Sequence, residues 1–275
     1  MSYKQFTTIL VAAMLSACAG CGGGGGGGPS DSTPSGTAPA SPPVASAPPA
    51  AAPPALKKTF VVMIRGDSTN YGSHPGDTCD GAPNQTCDNP AALMQTDFDI
   101  LFGKGVVQVV NRAEPGSTLE DDLNGTGPYT AGTLASELST SNADIVLTNA
   151  ELNDATYATP IGQYQANLEQ WVAIVRAAGK TPVIEEPNPT CMTGYGSIGA
   201  NGARTTDQPY IDAQHAASLA VNVTVLPVTD AFLAQTGWQA LLQADCEHPA
   251  DTGYEFKEGQ YMKNLYPIVA AMLKN

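Results

Sequence analysis

FVVMIRGDST, residues 60–69, carries the reading of the fold. Six apolar or long side chains run together and then stop at Gly66-Asp67-Ser68. A run apolar at both alternations reads as a strand buried on both faces, which is how strands of a parallel sheet read. Glycine and aspartate are turn formers, so the chain should leave the sheet at residue 66. A serine at a strand's carboxyl end is either part of that turn or a nucleophile. The choice between the two depends on partners elsewhere.

Working outward, TFVVMIR (59–65), VVQVVN (106–111), ADIVLTN (143–149), TPVIEE (181–186) and VTVLPVT (223–229) read as five strands. Helical patterns lie between them at 90–104, near 131–140, at 161–180 and at 206–221, and a last helix covers 255–274. Thr159-Pro160 reads as a cap and first-turn pair for the third of these, with Gly179 near its end. Strand–helix alternation of this kind predicts a three-layer α/β/α sandwich around a five-stranded parallel sheet. Ligands bind such sheets beyond the carboxyl ends of the strands, so the residues that follow each strand are the ones to inspect.

Those residues are Gly66-Asp67-Ser68, then Asn111 to Ser117, then Asn149 to Asp154, and late in the chain Asp245-Cys246-Glu247-His248-Pro249 with Gly253-Tyr254. Ser68 needs a base, because a free hydroxyl is protonated at neutral pH. His248 can supply one, and Asp245, three residues earlier, can orient its ring. Attack on an ester places negative charge on the carbonyl oxygen, and donors must await it. The Ser68 N–H, the Gly116 N–H and the Asn153 amide are the candidate donors. Each piece alone has a plain reading as a turn or cap residue. Together, after the right elements, they favour chemistry.

This set, in this order, resembles the SGNH (GDSL-like) hydrolase family across nearly all of residues 59–260. The resemblance implies a flavodoxin-like sheet and a metal-free ester hydrolase with the triad Ser68, Asp245 and His248. It also implies an oxyanion hole of Ser68, Gly116 and Asn153. One position departs: where the family pattern GxND has glycine, this chain has Glu151, which adds an acid near the pocket. No cofactor motif is visible, and no metal is expected. The glycine run 22–28 has no strand before it or helix after it, so it is not a phosphate loop.

Other candidates read as less apt. His74 sits in a Gly/Pro loop at the rim, and His215 lies within a helix pattern. Arg112 and Glu114 either line the pocket or are solvated loop charges. Glu185-Glu186 ends the fourth strand and reads as a solvated strand end rather than a glycosidase pair. Trp171 reads as core, and Trp238 as core or substrate platform.

The amino end has another character. Lys4 precedes an apolar stretch, residues 9–17, that is too short to span a bilayer. It ends in Leu15-Ser16-Ala17-Cys18, which resembles a bacterial lipoprotein signal. The expectation is a signal over 1–17, lipidation of Cys18 and, with Ala at position 19, an outer-membrane destination on its periplasmic or surface face. Residues 18–57, rich in Gly, Pro and Ala, cannot build a core and read as a tether. Residues 58–275 then form one domain. Its four cysteines, Cys79, Cys87, Cys191 and Cys246, allow three pairings; Cys79 with Cys87 would close a small loop and leave Cys191 with Cys246. The net charge of −14 argues against nucleic acid and against charge-driven binding to anionic lipid. The expected partner is a small-molecule or glycan ester met by a monomer.

Overall fold

The computed structural model describes residues 59–274. The expected signal, the lipidated Cys18 and the tether of residues 18–57 fall outside those residues. Five parallel strands form one sheet in the order β4-β1-β5-β6-β7. They are β1 (Phe60–Arg65), β4 (Val107–Asn111), β5 (Ile145–Thr148), β6 (Thr181–Glu185) and β7 (Thr224–Leu226). The opening stretch occupies β1, which pairs on one side with β4 (Phe60 opposite Val107) and on the other with β5 (Val62 opposite Ile145).

All six residues of β1 are buried, because both faces of the sheet are covered. Val61 and Met63 enter one apolar cluster with Leu119, Leu134, Val146, Tyr164 and Trp171. Phe60, Val62 and Ile64 enter the other with Phe98, Leu147, Val183, Phe232 and Tyr261. The first cluster is covered by α3 (Leu119–Asn124), α4 (Leu134–Thr140), α6 (Ile161–Ala177) and α7 (Gln208–Val221). The second is covered by α2 (Pro90–Phe102), α8 (Val228–Leu233) and α9 (Asp251–Met272). Two short helices, α1 (Ser68–Tyr71) and α5 (Leu152–Thr156), stand at the carboxyl ends of β1 and β5.

Four local expectations are corrected. VTVLPVT is not one strand to residue 229. Pro227, which lacks an N–H and cannot continue a ladder, ends β7, and α8 starts at Val228. Thr159 does not cap α6: Pro160 occupies the cap position with no side-chain cap bond. The last helix begins at Asp251, one turn earlier than its apolar pattern suggests. The Gly/Pro loop expected around His74 is part of an antiparallel hairpin of β2 (Ser73–Cys79) and β3 (Ala82–Gln85). Both expected disulfides are present, Cys79–Cys87 across that hairpin and Cys191–Cys246 between distant loops.

Candidate active site

The turn after β1 is built around Gly66, at φ +115°. A Cβ there would lie 1.8 Å from Asn149 Oδ1, so only glycine fits. Asn149 uses that space: its Oδ1 accepts the Asp67 N–H at 3.1 Å. Asp67 then caps α1, with Oδ1 accepting the Thr69 N–H at 2.9 Å. Ser68 is therefore the first residue of a one-turn helix rather than a loop residue. Its position leaves its N–H among those that find no partner within the helix.

The Ser68 hydroxyl lies 2.9 Å from His248 Nε2, and His248 Nδ1 lies 2.7 Å from Asp245 Oδ2. A carboxylate can only accept, so Nδ1 carries the proton and Nε2 is free to accept from Ser68. The other Asp245 oxygen accepts the N–H groups of Glu247 (3.0 Å) and His248 (3.1 Å). Burial by itself would raise the Asp245 carboxyl, but these N–H groups and the imidazole outweigh it and hold the group below its ordinary value. The spacing DxxH thus works as one compact turn: one carboxylate oxygen shapes the loop and the other orients the ring.

That loop is tied down from the β6 side. Cys191 is disulfide-bonded to Cys246, and the Cys191 N–H donates to Cys246 O at 2.8 Å. Asn188 Nδ2 donates to Glu247 O at 2.9 Å. The same segment reaches α5 through Arg204, whose Nη1 donates to Thr156 Oγ1 at 3.0 Å while its Nε pairs with Asp207 at 2.6 Å. Between these anchors it lines a cavity of about 210 Å³, walled by Asn188, Arg204, Asp207, Ile211 and Leu233.

Gly116 sits in the turn Glu114-Pro115-Gly116-Ser117, closed by Ser117 N–H to Glu114 O at 3.3 Å. Proline followed by glycine at φ +80° is the signature of a type II turn. Among the described residues neither the Ser68 nor the Gly116 N–H has an acceptor. Asn153, on α5, donates one amide hydrogen to Ser117 O at 2.9 Å. That bond holds it beside the Gly116 turn and leaves its second amide hydrogen for a ligand. Tyr129 and Ser117 close the floor, both donating to Gly66 O at 3.0 and 3.1 Å.

Glu151 is fully buried and neither carboxyl oxygen has a hydrogen-bond partner among the described residues. Burial first, then the charge of Asp207, push it well above the carboxylate range, against the pull of Arg204. The departure from GxND therefore adds a buried carboxyl next to Leu152 and Asn153 rather than a solvent-facing charge. Asp154, next to Asn153, is raised to about 6 by burial, although its Oδ2 accepts the Leu119 N–H at 2.8 Å.

The side chains of the remaining candidates make no hydrogen bond to the triad. His74 pairs with Asp77 on the hairpin (3.0 Å) and His215 with Glu186 (2.6 Å). Arg112 is exposed and lies 3.8 Å from Glu137. Glu114 is half-buried and raised, by burial before any neighbouring charge. Trp171 and Trp238 are both core. Glu185 and Glu186 are not a solvated strand end: both are buried, Glu185 against Lys257 and Glu186 on the Thr229 N–H at the start of α8. Sequence reading missed Thr69, Asn149 and Lys257 around the nucleophile. Asn149 was visible at a strand end, while Lys257 lies within a helical pattern that gives no such signal. No described cluster of His, Cys, Asp or Glu is placed to hold a metal ion.

Comparison with known proteins agrees with this geometry. No curated protein sequence is a significant match. Solved structures share the fold at low identity. A lipase/acylhydrolase from Enterococcus faecalis is 19% identical with a TM-score of 0.56, over 75% of this chain and 95% of that one. TesA is 20% identical with a TM-score of 0.57, over 75% of this chain and 98% of that one. A variant of an acetyl xylan esterase from Geobacillus stearothermophilus is 18% identical with a TM-score of 0.56, over 76% and 96%. The model of the GDSL-like lipase/acylhydrolase family matches residues 65–256, from the end of β1 into the last helix. The chain belongs to that family and is an ester-cleaving hydrolase.

Proposed function

We propose that the chain is a serine esterase that removes short acyl groups, acetyl above all, from carbohydrate esters through an acyl-enzyme on Ser68. The observation that carries the reading is the hydrogen-bonded line Ser68–His248–Asp245 at 2.9 and 2.7 Å. In this mechanism Ser68 Oγ attacks the ester carbonyl and its proton passes to His248 Nε2. The oxyanion is held by the Ser68 and Gly116 N–H groups and the free Asn153 amide hydrogen. His248 then protonates the departing alkoxide. Water, activated by the same ring, releases the acid and restores Ser68. Ser68, Asp245, His248, Gly116 and Asn153 account for every step without a cofactor.

The short-acyl, glycan part of the reading has separate support. The wall next to α1 is the β2–β3 hairpin, whose middle residues His74 to Thr78 are polar, small or proline and largely exposed. Such a rim suits a hydrated alcohol better than a long alkyl chain. Two of the solved structures of like fold are variants of one enzyme, described as an acetyl xylan esterase and as an acetyl-xylooligosaccharide esterase. A lipase, lysophospholipase or thioesterase would need an apolar rim in place of that hairpin. The same reading places the domain, as a monomer, on a tether (residues 18–57) behind a lipidated Cys18 at the outer membrane. Cys18→Ala should then move the protein from the membrane to the soluble fraction.

The test follows acid release by the full chain and its Ser68→Ala variant. Substrates are nitrophenyl esters of increasing chain length and acetylated polysaccharides. Fast turnover of acetyl esters and glycans, lost in the variant, is the expected result. A preference for long chains would replace the glycan reading with a lipase. Equal rates in both proteins would leave a binding module on a hydrolase scaffold.

A further inference from the structure

Helix α1 is one turn long, and one turn does not hold itself. Its backbone closes through Tyr71 N–H to Asp67 O at 2.9 Å and Gly72 N–H to Ser68 O at 3.0 Å. The geometry of Ser68 must therefore be fixed from below. The two residues that follow it, Thr69 and Asn70, are fully buried and belong to a polar layer between α1, β6 and α9.

At the centre of that layer is Lys257. Its Nζ donates to Thr69 Oγ1 at 3.0 Å and forms an ion pair with Glu185 Oε1 at 3.0 Å, both side chains fully buried. The other Glu185 oxygen accepts from Asn70 Nδ2 at 3.0 Å, and Tyr261 O–H donates to Asn70 Oδ1 at 2.7 Å. Thr69 Oγ1 also accepts from Asn149 Nδ2 (2.6 Å) and donates to Asp67 Oδ1 (2.9 Å). The lysine cation thus reaches the cap carboxylate of α1 across a single hydroxyl.

A buried ion pair is a poor source of stability, because removing two charges from water offsets most of their attraction. Apolar residues of similar volume would hold α9 on β6 at least as well. The place of the pair, under the residue next to Ser68, points to another use.

We propose that Lys257, held by Glu185, is a positioning residue for the nucleophile. By fixing Thr69 it aims the Ser68 hydroxyl at His248 and the Ser68 N–H at the oxyanion. The role rests on the reading of Ser68 as nucleophile. Lys257 acts through Thr69 and not on substrate, so its loss falls on kcat and leaves KM nearly unchanged.

The experiment measures kcat, KM and Tm with nitrophenyl acetate for the full chain, Ser68→Ala, Lys257→Met, Lys257→Met with Glu185→Gln, and Thr69→Val. Lys257→Met alone strands the Glu185 charge, so both Tm and kcat should fall. The double variant removes both members of the ion pair and should regain Tm, while its kcat stays down by about 10- to 100-fold at constant KM. Thr69→Val keeps the ion pair but removes the hydroxyl that receives Lys257, and should lose kcat to a similar extent. Recovery of kcat with Tm in the double variant overturns the positioning role while leaving the nucleophile intact, as does full kcat in Thr69→Val. Wild-type turnover by Ser68→Ala overturns the nucleophile and, with it, this role.

Discussion

Asn149 occupies the space that a side chain at Gly66 would need. Its Oδ1 would lie 1.8 Å from a Cβ at residue 66 and is already bound to the Asp67 N–H. The first letter of the nucleophile motif is thus set by a residue at the end of a neighbouring strand. Gly66→Ala must displace Asn149 and adopt φ +115°. We expect a loss of about 2–4 kcal/mol, or roughly 4–16 °C in Tm. Calorimetry checks it, and an unchanged Tm would refute the packing argument.

Asp245→Asn keeps an oxygen for the N–H groups of Glu247 and His248 but can no longer require the proton on Nδ1. The loop should hold and the tautomer should not. With Tm near that of the parent, kcat should fall by about 10²–10⁴-fold. A fall below threefold at neutral pH would show that the ring is oriented by something else.

Glu258, buried on α9 and facing Asp97, is raised to about 9, first by burial and then by the Asp97 charge. Unfolded, it titrates near the ordinary carboxylate value of about 4.3. Between those values the folded chain holds a proton that the unfolded chain has released, so this group makes stability fall as pH rises from about 4.3 to about 9. Glu258→Gln removes the dependence. The variant should melt several degrees above the parent at pH 8 and close to it at pH 4, measured by thermal scans across that range. A higher parent Tm at pH 8 would show the opposite sign.

Much of this was legible in the chain. The strands carried apolar residues on both faces, and Ser68, Asp245 and His248 stood at strand ends or in a tight DxxH spacing. The hairpin was not legible, because SHPGDTC and APNQ are polar, hold Pro and Gly, and pair largely in solvent with a disulfide to help. Pro227 was read as part of a strand because the apolar residues around it continue into a helix of the same hydropathy. Glu185 looked solvated because its partner, Lys257, lies far along the chain, and local pattern does not report such pairs.

Cys191→Ala with Cys246→Ala frees the loop that carries His248 from the segment after β6. The chain-entropy model gives about 4 kcal/mol for a closed loop of this size, separation 55. Tm and kcat should fall together, and treatment of the parent with a thiol reductant should reproduce both. Loss of Tm with full kcat would mean that Asn188 and the backbone bond from residue 191 to residue 246 hold the loop without the disulfide.

The nucleophile and its base stand 180 residues apart in the chain. Strand β1 is the first of the sheet to be made, yet both of its neighbours, and the turn that bears the imidazole, come later. A nascent or truncated chain therefore displays Ser68 long before it can use it, and reactivity arrives only with the segment that carries His248. During refolding, ester cleavage should lag behind the appearance of strand and helix signals, so the first turnover marks docking of the His248 turn on Ser68 rather than formation of the sheet.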